Sequence, residues 1–225
     1  MKKVKLLVSI LCFSCSVFAQ EEVGFGNMDD TYDDIKPKHS FSIDIGLPVA
    51  TANKAYRSWM DGLVNVSTHY YYSLPNNLSV GAGIHYSYFK VDEFKVPEKT
   101  YGGINNLGAF VRVGYEKFHT MRFGTDFSLK AGYVHSMYNT DKLRAKGNTV
   151  NFGSIYAEPV VGFILTAGEF ISYRLNIGYT FQGNAFNNDR IGIDNKGGLS
   201  GKDFTAPTQF MTFGFGFTYY FKQRL

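Results

Sequence analysis

Three groupings of residues in this sequence are of the types that do chemistry. His85-Tyr86-Ser87 puts an imidazole and a hydroxyl on one side of a period-two segment. A histidine can act as base towards a serine hydroxyl where an acid orients it, but two residues are a weak signal of such a site. The adjacent His135-Ser136 shows how readily such pairs arise by composition alone. Asn187-Asn188-Asp189 with Asp194-Asn195 offers hard oxygen donors for Ca²⁺, but without the ordered ligand spacing of an EF-hand. The five histidines are scattered at no metal-ligand spacing, so no metal and no cofactor is expected. The third grouping is larger: Asp44, His69, His85, Arg112, Glu116, Asp126, Lys130, Glu158 and Arg174. Whether these line a pore or pack as a paired network depends on the elements that carry them.

The N-terminus bears on where the chain works. Lys2, Lys3 and Lys5 precede a mostly apolar run from Leu6 to Phe18, and Val17-Phe18-Ala19 suits a signal peptidase. Residues 1–19 therefore read as a secretory signal peptide, too short for a spanning helix. Neither Cys12 nor Cys15 sits in a lipobox, and both leave with the signal. The mature chain then has no thiol for a disulfide, a metal or a nucleophile. Cleavage also lowers the formal charge from +4 to +1, with 20 basic residues left against 19 acidic ones. That balance gives no basic footprint for nucleic acid. Residues 20–39 are acidic, lack apolar periodicity and read as a flexible periplasmic leader, with a partner-docking segment as the alternative.

From Ser40 onward, apolar and small polar residues alternate, which is the signature of strands. The expected strands are Ser40–Val49, Leu63–Ser73, Leu78–Phe89, Asn105–Phe118, Phe123–Met137, Phe152–Leu165, Ile171–Gln182 and Thr208–Phe221. Pro159 sits within the sixth and predicts a bulge, because proline removes a ladder donor. Tight connections at Leu74–Asn77, around His119-Thr120 and at Ala167–Glu169 alternate with long polar ones at 50–62, 90–104, 138–151 and 183–207. Short turns at one end and long loops at the other predict an all-β, antiparallel up-and-down barrel of about eight strands, spanning a membrane with both termini at the turn end. The barrel covers residues 40–225.

A soluble ligand-carrying barrel also alternates, but turns its apolar face inward and a Lys- and Glu-rich face to water. Here the non-apolar face is dominated by Gly, Ser, Thr and Asn, as in Ser79-x-Gly81-x-Gly83. Small residues suit the crowded inside of a narrow barrel. The apolar face is nearly free of charge and carries Tyr and Phe towards strand ends, as lipid and its two interfaces require. The nine charged and imidazole residues named above then point into a lumen only wide enough for side chains. Buried charges must pair, so they are expected to plug the barrel rather than line a pore. The same parity turns His85 and Ser87 inward, away from any lipid substrate.

The last strand, Thr212-Phe213-Gly214-Phe215-Gly216-Phe217-Thr218-Tyr219, resembles the C-terminal β-signal of outer-membrane barrels, with Thr212, Gly214, Phe217 and Tyr219 at the matching positions. The pattern over 40–225 is similar to the small eight-stranded barrels of the OmpA transmembrane-domain and OmpX type. One departure is that Tyr220 to Leu225 follow the signal. The resemblance implies the outer membrane of a Gram-negative bacterium, a lipid bilayer as surroundings and insertion by the barrel-assembly machinery, and it implies no single activity. The expected role is non-enzymatic: a structural or interaction component, such as an accessory subunit of an outer-membrane assembly, secretion or uptake complex with outer-membrane or periplasmic partners. The alternative is an adhesin acting through its loops, with Tyr56, Trp59, Met60, Phe94 and Tyr101 as exposed contacts. A small pore or a lipid A-modifying enzyme fits the inward-facing residues less well.

Overall fold

The computed structural model describes residues 38–120, 122–167 and 170–221. The predicted signal peptide, nearly all of the acidic leader and the centre of the Ala167–Glu169 turn lie outside them. Eight strands run β1 (His39–Ala52), β2 (Met60–Ser73), β3 (Leu78–Val91), β4 (Gly102–Phe118), β5 (Phe123–Thr140), β6 (Val150–Thr166), β7 (Ile171–Ala185) and β8 (Pro207–Phe221). Each pairs antiparallel with its neighbours in sequence, and β8 closes on β1. Two short helices, α1 (Lys54–Trp59) and α2 (Asp141–Ala145), lie in the first and third long loops. The fourth long loop contains two 3-10 turns.

The tight turns follow from residues that accept unusual backbone. Asn76 and Asn77 reverse β2 into β3 at φ 65° and 64°, the left-handed region that asparagine tolerates better than most residues. At the β4–β5 turn the Thr120 hydroxyl accepts a hydrogen bond from the Phe123 N–H at 3.0 Å.

Seven strands extend two or three residues further towards the loop end than the alternation predicts, β8 extends one, and β1 begins at His39. The expected bulge at Pro159 is absent. Pairing of β6 with β5 is continuous through Leu129↔Pro159. Pairing with β7 stops after Ala157↔Phe181 and resumes at Val160↔Gly178 with the register unchanged. In an antiparallel pair a residue directs its N–H and C=O to the same side, so the missing proline donor interrupts only the β7 ladder. Glu158 consequently keeps its inward facing. The bulges that do occur lie at the loop end, at Ala50/Ala52, Gly62/Val64 and Phe181/Ala185.

Strand parity sorts the side chains into two surfaces. Ile45, Leu47, Val111, Phe127, Leu175, Phe213 and Phe215 are among the many large apolar side chains exposed on the outer wall. A continuous apolar wall is what hydrocarbon demands of a spanning barrel, and ring closure leaves no free sheet edge. The inner surface is polar in its middle and towards the turn end. At the loop end it gives way to a compact apolar cluster.

Candidate functional site

The inward charges form two connected groups. Arg112, buried to 1 % exposure, bonds Asp126 at 2.5 Å and the Ser79 hydroxyl at 2.7 Å. Arg174 bonds Glu116 at 2.5 Å, Asp126 at 3.1 Å and the Tyr71 hydroxyl at 2.6 Å. Both guanidinium groups lie over the Tyr71 ring, 4.7 and 5.5 Å from its centroid. These contacts span β2, β3, β4, β5 and β7, so one lattice ties opposite walls together. The second group surrounds Lys130, which bonds the Ser67 hydroxyl at 3.0 Å and lies 3.7 Å from Asp44. Asn176 donates to Asp44 at 2.7 Å. Glu158 faces Lys130 across the β5–β6 ladder.

The His-x-Ser pair is inside the barrel, and its two members contact other residues. The Ser87 hydroxyl accepts from Asn106 at 3.1 Å rather than from His85, and the His85 ring packs on Tyr156 with centroids 5.5 Å apart. His69 packs between Tyr71 and Phe110. Around the asparagine-rich loop, Asn188 spends its side-chain N–H on the Ile193 carbonyl at 2.8 Å. Among the described residues no three His, Cys, Asp or Glu side chains converge on a metal-sized site. On β8, Thr212 faces the lumen and accepts from Asn65 at 2.9 Å, Gly214 shares that inward parity, and Phe217 and Tyr219 lie on the outer wall.

The loop aromatics require a correction. Phe94 is 90 % exposed and Tyr101 46 % exposed, but Tyr56, Trp59 and Met60, expected on the surface, are buried. They fill the mouth of the barrel. The Tyr56 ring packs between Phe89 and Phe186, at 5.0 and 5.3 Å. Trp59, 3 % exposed, sits edge-on to Phe204 at 5.4 Å and to Phe186 at 6.4 Å. Phe89 and Phe210 pack at 5.1 Å, and Val91, Ile104, Tyr138, Leu143, Ile191 and Ile193 complete the cluster. The reason is non-local: no single loop can bury these side chains, but four loops meeting over one opening can, and burial of a large apolar side chain contributes about 1.5–3 kcal/mol.

The polar fastening of this cap is also absent from the sequence reading. Asn53, at φ 59°, caps α1 by accepting from the Tyr56 N–H at 3.0 Å, a role asparagine fills well. Its amide N–H groups reach the carbonyls of Phe186, Phe204 and Ala206 at 3.2, 3.3 and 2.9 Å, joining the first loop to the fourth. Thr140 caps α2 and donates to the Ile191 carbonyl at 2.9 Å. Glu98 bonds Lys142 and accepts from the Asn195 N–H at 3.0 Å, and those two bonds hold its carboxyl below the ordinary range. The fourth loop, long and polar in sequence, is thus packed and bonded to the other three. Phe186, Ile191, Ile193 and Phe204 stand as apolar residues in a polar loop, which is the signal that could have revealed it.

No family model matches the chain, and no curated protein does. Solved structures do match. Neisserial surface protein A aligns over 82 % of this chain and 97 % of its own, with a TM-score of 0.54 at 9 % identity. The fold is that of the small eight-stranded outer-membrane β-barrels. The attachment invasion locus protein Ail of Yersinia pestis aligns over 82 % of this chain and 98 % of its own, with a TM-score of 0.45 at 11 % identity. The outer membrane protein OprG of Pseudomonas aeruginosa aligns over 83 % and 98 %, with a TM-score of 0.44 at 13 % identity.

Proposed function

We propose that this chain is a non-catalytic, non-conducting outer-membrane protein that acts as an interaction component through its loop platform. The observation that carries this reading is double closure of the lumen: a cross-wall lattice of buried ion pairs around Arg112 and Arg174, and an apolar cap around Trp59. With its lumen closed at these two levels, the molecule offers macromolecular partners only its surfaces. Its four loops are held in one arrangement by Asn53, Thr140 and Glu98, so binding at the platform incurs little ordering cost. Phe94 and Tyr101 are the contact residues it presents. The signal peptide supports export, the apolar wall supports membrane insertion with the loops outward, and the Thr212–Tyr219 pattern supports delivery by the barrel-assembly machinery.

The test is photo-crosslinking in intact cells, with the photoreactive residue at position 94 in one variant and at wall position 215 in another. The proposal expects a discrete protein adduct at 94. Protein adducts at 215 with none at 94 would move the partner surface to the wall, as for a subunit held within a larger membrane complex.

A further inference from the structure

The lumen charges do not balance. The described residues place four carboxylates inside the barrel, Asp44, Glu116, Asp126 and Glu158, against three cations, Arg112, Lys130 and Arg174. The two arginines are taken up by Glu116 and Asp126. Lys130 is paired with Asp44, so the excess negative charge falls on Glu158, which faces Lys130 across the ladder. A cavity of about 20 Å³ lies there, lined by Asp44, Asn65, Ser67, Lys130, Glu158 and Thr212 among others, with room for one ion or one water molecule.

Two acceptor atoms on its lining are buried without a hydrogen-bond partner, Glu158 Oε2 and Asn65 Oδ1. Both residues are more than nine-tenths buried, at 3 % and 6 % exposure. A cation in this cavity would offset the excess charge and give buried oxygens of its lining a partner, which a water molecule alone does not. The available donors are carboxylate, amide and hydroxyl oxygens, with no sulfur, and hard oxygen ligands select alkali or alkaline-earth ions over transition metals. One excess charge selects a monovalent ion.

We infer that the barrel lumen binds a single alkali-metal cation, Na⁺ or K⁺, between Asp44 and Glu158, with the Asn65 carbonyl oxygen as a neutral ligand. His69 Nδ1 lies 3.8 Å from Asp44 Oδ2, and His85 faces the same lumen. The ion is therefore best sought at pH 8, above the ordinary imidazole range, where neither histidine competes as a positive charge.

The experiment follows thermal unfolding of the purified barrel in nonionic detergent at pH 8. Choline chloride is replaced stepwise by sodium or potassium chloride at constant total chloride. Binding to the folded state alone should raise the midpoint along a saturating curve, by about 5 °C or more over a hundredfold excess above half-saturation. Glu158→Gln, which removes the excess charge, should unfold at the same temperature in choline and in sodium. Should Glu158→Gln fail to fold, Asn65→Ala should shift half-saturation to at least tenfold higher salt. A wild-type midpoint identical in choline, sodium and potassium would overturn the inference and assign the cavity to water beside a protonated Glu158. A salt response retained unchanged in the variants would overturn it equally, since the ion would then bind elsewhere.

Discussion

Arg174→Ala removes the side chain that holds Glu116, Asp126 and the Tyr71 hydroxyl together. Arg174 and Glu116 are both fully enclosed, so water cannot replace the lost bonds without opening the barrel. Deleting one partner of a buried ion pair costs on the order of 3–5 kcal/mol. For a chain of this size each kcal/mol moves the unfolding midpoint by about 2–4 °C, so the variant should unfold roughly 10 °C below the parent. Lys146→Ala serves as the control. Lys146 lies 3.6 Å from Asp194, but both are largely solvated, and such pairs contribute almost nothing measurable. The assay is the temperature at which the compact, fast-migrating form on a detergent gel converts to the unfolded one, checked by circular dichroism. Equal midpoints for Arg174→Ala and Lys146→Ala would refute the lattice as a stabilising device and imply that water already enters the lumen.

Four further outcomes are expected. Trp59 is the sole tryptophan, so native emission should be blue-shifted and poorly quenched by acrylamide; emission like that of free tryptophan would return Trp59 to the surface. Trp59→Ala should cost about 3–5 kcal/mol and expose the loops to protease, whereas Phe94→Ala should leave stability unchanged. Replacing Phe217 and Tyr219 together with Ala should lower the amount of protein fractionating with the outer membrane, while replacing Phe94 and Tyr101 should not; equal yields would remove the β-signal role. Hydrogen bonds to Lys142 and the Asn195 N–H for Glu98, and to Ser200 for Asp203, depress both carboxyls. Their contribution is therefore complete above the unfolded carboxyl range and is lost as pH falls through the lower folded values. Loop protection against hydrogen exchange should hold from pH 8 to 5 and fall only below about pH 4.

What could be read from the sequence divides along a physical line. Strand facing is a local property, because successive side chains point to opposite sides. The alternation at Ile43-Asp44-Ile45 or Val111-Arg112-Val113 accordingly placed the lumen residues without knowledge of their partners. Which charge meets which is a cross-barrel matter: Arg174 reaches Glu116 through space, 58 positions away in the chain, and nothing in their spacing shows it. The cap depends on contacts of the same non-local kind, signalled in the sequence only by apolar residues such as Phe186 and Phe204 in a polar loop. Tyr56, Trp59 and Met60 sit among polar residues in a loop, and only the arrival of Phe186 and Phe204 over the same opening makes burial favourable. Pro159 shows a subtler limit. A proline in a strand costs one donor, but whether that donor would have served a ladder continued on its other side depends on a pairing that the sequence does not display.

The closed lumen is tested most directly by conductance. Purified protein reconstituted in a planar bilayer should give no stable current steps across ±100 mV, because the Arg112–Asp126–Arg174–Glu116 lattice and the Trp59 cap obstruct the same path at two levels. Large, long-lived ohmic steps from the unmodified protein would contradict both closures and make the lumen a pore.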